Sequence, residues 1–438
     1  MKSPTTSARR ATSAEGAGCV FYGAITPHDP ETGELVLTAD KFADAIKPAR
    51  AGLMFFDFPE APVLAQTWVV YRHLWRMLQE RGLSLHNVVR QRLFIRDVRE
   101  LPAIERIMDI VLGDSRPATS IVVMAAGGIH PDLHLQLDAV AALDVAGRIV
   151  IKDDLLLRYP AAVRCGDFVC TSGICGIAGA DAAKYANDAD LRLLATPRER
   201  TIYAQGLRTF ANLERVLARA GAKLSDILKV NGWVGFPMRE YGAAVLARRR
   251  FFDQTRQNMM ASTGLAVGGT ATPEALLSFD AIALVQTDRT ARKEVQGAIS
   301  TVASPYVAGA VKGGGLIFTS GEIPVLQPAG EVIATCAQLA DDGRFLRFGH
   351  VEPESGMESR TWFVMRTLEA YLASFGASFA QVVHQTVFIK EPRLFPVLER
   401  IASLFYGCEL PPTTIVPIAG TTPLPGAELE IEVIASAA

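Results

Sequence analysis

The chain has 438 residues, 49% of them hydrophobic and 21% charged, with a formal net charge of −2 at pH 7. That balance is ordinary for a globular protein of about three domains, and it offers no electrostatic footprint for nucleic acid or an anionic membrane. No apolar run approaches the ~18 residues of a spanning helix, and six cysteines without framework spacing fit a reducing, cytoplasmic setting.

Residues 1–18, "MKSPTTSARRATSAEGAG", have no apolar core of the secretory kind and read as a disordered polar tail. The β-rich run "VFYGAI" (20–25) follows. After it comes a long insertion, roughly Leu35 to Pro62, of the kind that forms lids or binding loops. From Leu74, "LWRMLQERGLSLHNVVRQRLFI" reads as an amphipathic helix closed at Gly82, where a C-cap needs positive φ, and then a β-branched strand. A second helix, "LPAIERIMDIVLG", leads to "RPATSIVVMAAGG" and to a closing strand at 133–143.

The same order then returns twice. "VCTSGI" (169–174), a helix closed at Gly221, "YGAAVLARRRFF", "MASTGLAVGG" and a strand at 276–285 form a second copy. "IFTSGEI" (317–323), a helix closed at Gly376, "FPVLERIASLFYG", "LPPTTIVPIAG" and a strand at 429–435 form a third, with an insertion at about 335–359. The glycines Gly23, Gly173 and Gly321 are spaced by 150 and 148 residues. A fixed period of this kind marks repeated domains. The predicted organisation is therefore a tail (1–18) and three copies, 19–145, 150–288 and 302–438. Each copy is α+β, a mixed sheet with helices on one face. Packing three such sheets together would cover the other face, so one chain is expected to fold as its own pseudo-trimer.

The third copy, "SPYVAGAVKGGGLIFTSGEIPVLQPAGEV" from Ser304 with "VVHQTVFIKE" and "LEIEVIA", resembles the Rid family (YjgF, reactive intermediate deaminases), and the other two copies resemble it more loosely. The resemblance implies a chorismate-mutase-like fold, ligand clefts between adjacent units, and hydrolysis of imines or enamines to ketones and ammonia. A chorismatase-like hydrolase and a non-catalytic small-molecule binder are the alternatives it leaves. It carries the cleft tyrosine to Tyr306, with Tyr159 in the second copy. The serine-glycine pair falls on Ser320 and Gly321, on Ser172 and Gly173, and on Tyr22 and Gly23. The glutamate that positions water falls on Glu430, where the other copies have Ser278 and Gln136.

The family arginine that grips a carboxylate is absent, because its positions hold Thr119, Ser262 and Thr413. A hydroxyl supplies no charge. The substrate is then neutral at that point, or a cation arrives from Arg164, Arg92 or an insertion. The expected catalytic set is Glu430, Thr413 and Tyr306, with backbone N–H groups near Thr413 and Gly321 polarising the electrophile. Ser320, Gly321, Ser172, Gly173, Thr119 and Ser262 would bind substrate. Each has a structural alternative: Glu430 as an ordinary strand carboxylate, the hydroxyls as loop caps, Tyr306 as a packed aromatic. His130, Asp132 and His134 in "HPDLH" lack a fourth ligand, and Cys165, Cys170 and Cys175 lack C-x-x-C spacing. No metal and no cofactor is expected. The expected partner is a small-molecule substrate, and the assembly a monomeric pseudo-trimer or a dimer of it.

Overall fold

The structure is a computed structural model. It describes residues 9–38, 40–50, 61–156, 158–177, 188–252, 259–285, 293–295, 307–326, 330–340, 342–343, 346, 354–407, 409–421, 424 and 426–437. The fold is α+β. Among the described residues no helix is long and apolar enough to cross a membrane.

Three large mixed sheets carry it. Sheet 1 orders its strands Gly269–Thr270, Ala118–Val123, Val88–Ile95, Leu135–Ala142, Cys19–Ile25 and Ser13–Gly16. Sheet 2 runs Val307–Ala308, Met260–Ala266, Ile227–Val234, Leu277–Leu284, Phe168–Thr171, Ala162–Cys165 and Ile149–Ile151, with two further short strands alongside. Sheet 3 runs Lys293–Val295, Ala310–Gly313, Leu316–Thr319, Leu429–Ser436, Val382–Ile389 and Thr413–Pro417. In each, one eight-residue strand pairs antiparallel with the closing strand and parallel with the strand of the hydroxyl phrase. Parallel pairing needs a crossover, which the intervening second helix supplies.

The helices cover one face of each sheet. Ala61–Gln79 and Leu101–Leu112 pack on sheet 1, Pro197–Arg219 and Tyr241–Phe252 on sheet 2, and Glu354–Ser374 and Phe395–Tyr406 on sheet 3. Gly82, Gly221 and Gly376 close the long helices at φ 70°, 83° and 73°, the left-handed conformation read from the sequence. Residues 9–18 depart from the expected disordered tail. Ser13–Gly16 pairs with Cys19–Ile25, and Arg9–Arg10 pairs with Glu409–Leu410. The first hairpin thus begins before the "VFYGAI" run, because the alternation of "SAEG" is too short to stand out. In the first insertion Ala43–Arg50 is helical, and 51–60 lie outside the described residues.

The opposite faces of the sheets meet one another. Phe94, Trp233 and Phe388, one from each sheet at matched register, form an edge-to-face aromatic chain with centroids 6.1 and 6.0 Å apart. The next layer is ionic. Arg92 forks onto Asp138 (3.0 and 2.6 Å) and also reaches Glu432 (3.2 Å) and Thr386 (2.9 Å). Lys229 pairs with Glu432 at 2.7 Å, and Arg90 pairs with Asp280 at 2.6 Å. Burial alone would push the carboxyls of Asp138 and Glu432 up; the surrounding cations and hydrogen bonds outweigh it and hold both below the usual range. A second apolar layer, with Phe21, Cys170 and Phe318, completes the seam.

Short segments are also exchanged between sheets. Gly269–Thr270 joins sheet 1, while Val307–Ala308 and Gly420–Thr421 join the Met260–Ala266 strand of sheet 2.

Candidate functional site

The three hydroxyl phrases lie where one sheet abuts the next. Between sheets 1 and 2 the Thr119 N–H donates to Ser172 Oγ (2.7 Å), and the Gly173 N–H donates to the Thr119 carbonyl (3.2 Å). The Thr119 hydroxyl is engaged locally: it accepts from Gln91 Nε2 and donates to the Pro117 carbonyl, both at 3.0 Å. Tyr159, at the same junction, donates to Glu105 at 2.5 Å.

Between sheets 2 and 3 the pattern recurs. The Ser262 N–H donates to Ser320 Oγ (2.8 Å), the Gly321 N–H donates to the Ser262 carbonyl (3.1 Å), and the Ser320 hydroxyl donates to the Ala308 carbonyl (2.6 Å). Between sheets 3 and 1 the contact is backbone against backbone. A Cβ built on Gly23 would stand 2.6 Å from the Thr413 nitrogen and 2.9 Å from the Pro412 carbonyl carbon. Gln136 Nε2 there donates to the Ile415 carbonyl (2.5 Å), and the Thr413 hydroxyl donates to the Pro411 carbonyl (2.8 Å).

Glu430 belongs to the junction of sheets 2 and 3. It is 2% exposed, and its Oε1 lies 1.9 Å from where a Cβ on Gly321 would be. Only glycine leaves room for that carboxyl. Burial first, and then the negative charges of Glu432 and Glu322, push the Glu430 carboxyl well above the usual range, against the opposing pull of Lys229 and the Gly264 N–H. Its Oε2 has no hydrogen-bond partner among the described residues. Glu322, the residue after Gly321, is buried as well, and burial raises it to about 8 against the Tyr371 hydroxyl and Lys229. Arg248 Nη1 donates to the Ser262 hydroxyl at 3.0 Å. Two buried carboxyls whose burial favours the protonated form thus lie at the Gly321 turn, and Arg248 bonds the Ser262 whose carbonyl accepts from the Gly321 N–H. The matched positions at the other junctions hold Ser278 and Gln136, which cannot exchange a proton in the same way.

The expected site is thus partly assembled and partly split. Glu430, Ser320, Gly321 and Ser262 come together, and so do Thr119, Ser172 and Gly173. Thr413 does not join Glu430. The strand 382–389 runs between 413–417 and 429–436, so the two face different neighbours. The Gly321 N–H, expected to polarise an electrophile, is committed to the Ser262 carbonyl. Tyr22 is not a counterpart of Ser172 and Ser320. By strand alternation its ring lies with Val20 in the core beneath the helices, and it is Gly23 that stands against the Thr413 N–H as Ser172 and Ser320 stand against those of Thr119 and Ser262. Tyr306 lies outside the described residues. Arg92 is consumed by the ionic layer, and Arg164 bonds the Gly166 and Ala220 carbonyls. His130 and Asp132 stand 3.9 Å apart while His134 bonds Glu100, and among the described residues no group is arranged to hold a metal.

The residues that sequence reasoning missed are Arg248 and Glu322. Each had a signal. Arg248 takes the helix position filled by Met108 and Ala402 in the matched helices, both buried. Glu322 interrupts "TSG-I" where the other copies read Ile25 and Ile174. Val230 explains the arginine: where the neighbouring strand offers Gln91 beside Thr119, it offers only an apolar side chain beside Ser262.

The family described as Endoribonuclease L-PSP matches residues 297–437. A RutC family protein of Pyrococcus abyssi is 23% identical over 122 residues, 28% of this chain and 76% of that protein. AldR of Lactococcus lactis subsp. lactis, named as a candidate regulator, is 30% identical over 132 residues, 30% of this chain and 86% of its own. A crystal structure of chorismatase is similar over 80% of this chain and 93% of its own, at 12% identity and a TM-score of 0.49.

Proposed function

Since the chain belongs, through residues 297–437, to the endoribonuclease L-PSP (YjgF, Rid) family, we propose that it is a hydrolase of a C=N or enamine-type bond in a small metabolite, working at the junction of sheets 2 and 3. The three sheets are read as Rid-like domains, 19–145, 150–288 and 302–438, closed on one another as a pseudo-trimer within one chain. What supports that part is the matched sheet order and the Ser-Gly contact repeated at two of the three junctions.

The observation that carries the chemistry is the buried Glu430 carboxyl packed on Gly321, whose N–H bonds the carbonyl of the same Ser262 that Arg248 holds by its hydroxyl. A carboxyl that keeps its proton at neutral pH starts as an acid. In this reading Glu430 gives its proton to the substrate nitrogen, and water adds to the carbon. The carboxylate then recovers a proton as the tetrahedral adduct expels ammonia or an amine and leaves a carbonyl. The expected role of Glu430 as a resting base is thereby revised to acid first, base second. Arg248 supplies the cation that the strand positions lack, so a substrate bearing an anionic group beside the C=N bond is accommodated.

The test is ammonia release from imines generated in situ, with and without a carboxylate next to the C=N carbon. Turnover of the carboxylated imines, lowered about 10²-fold in Glu430→Gln with KM little changed, is the expected outcome. Undiminished kcat in Glu430→Gln on a genuine substrate would remove the mechanism. Binding with no turnover in either protein would make the chain a small-molecule binder.

A further inference from the structure

The seam between the sheets ends in a cavity of about 400 Å³ where three hairpin turns meet, at Ala17–Gly18, Gly166–Asp167 and Gly314. Its origin is a mismatch in side-chain size. Phe21, Cys170 and Phe318 hold matched places, each opposite a β-branched residue of the closing strand: Val140, Ile282 and Ile434. Sheets 1 and 3 put a phenyl ring into the seam, and sheet 2 puts only a thiol. A core this well packed elsewhere would be expected to fill such a gap, yet small residues around it, Ala142, Gly147 and Gly314, keep it open.

The wall is apolar apart from its sulfurs. Val89, Val163, Phe168, Leu284 and Leu316 line it together with Cys19, Cys165 and Cys170. Burial pushes the Cys19 thiol up to about 12 and the Cys170 thiol to about 11, so both stay uncharged. The remaining ionisable residues in the lining are Asp144 and Asp167, both exposed at the mouth, and no lining residue is cationic. An anion meets carboxylates and finds no counter-charge, and a cation would lose its hydration on entering an apolar interior. The volume falls within the range of about 300–1,000 Å³ of small-molecule sites.

We propose that this cavity is a binding site for one neutral, apolar small molecule, separate from the Glu430 junction and touching all three sheets at once. The ligand takes the space that a third phenylalanine would occupy, and the thiols serve as soft, uncharged wall atoms rather than nucleophiles.

The probe is the neutral naphthalene dye 6-propionyl-2-(dimethylamino)naphthalene, compared with the anionic 8-anilinonaphthalene-1-sulfonate, on the full chain. Expected are one neutral dye bound per chain with a blue-shifted emission, and no comparable binding of the sulfonate. With the dye at about ten times its Kd, methylthiolation of Cys19 and Cys165 by methyl methanethiosulfonate, followed by peptide mapping, should slow about tenfold by mass action. Cys170→Phe puts the missing ring in place and should abolish dye binding while imine turnover persists. Unprotected thiols at dye saturation, equal sulfonate binding, or unchanged dye affinity in a folded Cys170→Phe would each overturn the proposal. The thiol measurement uses the wild-type chain, so the result stands even if Cys170→Phe fails to fold. Turnover loss in Glu430→Gln is read independently.

Discussion

Burial favours the protonated form of the Glu322 and Glu430 carboxyls, and that has a sign in stability. In the unfolded chain a glutamate releases its proton near its ordinary value of 4.5; burial makes folded Glu322 hold it to about 8. Between those values the folded state binds more protons than the unfolded one, so this contribution to stability falls as pH rises. Histidines act oppositely at lower pH. Burial takes His384 down to about 4 and lowers His28 and His73, so their contribution rises with pH up to about 6.5. The clean window is therefore pH 6.5 to 8. The unfolding midpoint should drop across it, with Glu322 accounting for at most about 2 kcal/mol. Glu322→Gln should flatten the slope in a pH series of thermal melts; an unchanged slope would remove the protonated Glu322 from the account.

At the scale of elements, the junction glycines separate a structural role from a chemical one. A methyl on Gly23 meets the backbone of the strand at Thr413, which cannot swing aside. Gly23→Ala should cost roughly 1–3 kcal/mol in denaturant unfolding, as overpacking does. A methyl on Gly321 meets the Glu430 side chain from Cγ to its carboxyl, so it displaces a side chain rather than backbone. Gly321→Ala should therefore lose turnover out of proportion to stability. Equal losses in both variants would contradict the distinction. The same contrast bears on how much the sequence reveals. The strand–helix–strand order and the capping glycines are legible because they follow from periodicity and from φ, which are local. The grouping of Glu430 with Ser262 and Gly321 is not, because it depends on which sheet faces which. Thr413 lies only 17 residues before Glu430, yet the strand between them sends the two to different neighbours. Arg248 left a signal, a charge on an apolar helix stripe, but its meaning depends on Val230 standing beside Ser262, which is a matter of strand pairing.

At the scale of the whole molecule, the three sheets are tied to one another by a buried ionic layer. Arg92 is the hub: it holds Asp138 and Glu432 from two sheets and also bonds Thr386. Arg92→Leu removes the cation and leaves Asp138 without its partner in a buried setting. Loss of one partner of a buried pair typically costs about 3–5 kcal/mol. The variant should unfold at markedly lower denaturant, and Asp138→Asn placed on top of it should recover part of the loss. No recovery would mean that Asp138 is not the stranded charge. Light scattering should find the full-length chain as one copy or two, since each sheet is already covered by its siblings; a stable trimer of chains would refute the pseudo-trimer.

The ionic layer also makes the three sheets non-interchangeable. At matched places sheet 1 supplies Arg90, Arg92 and Asp138; sheet 2 supplies Lys229, Asn231 and Asp280; sheet 3 supplies His384, Thr386 and Glu432. A ring built from sheet 1 alone would crowd guanidinium groups that outnumber its carboxylates. One built from sheet 3 alone would bring acids together with no strong cation to meet them. Charge cancels with one of each, as it also would with three copies of sheet 2, but only the mixed ring supplies both the Arg92 fork and the Glu432 that it and Lys229 reach, so the seam works as a key with three different teeth. Transplanting one domain into another's place along the chain would leave the key uncut.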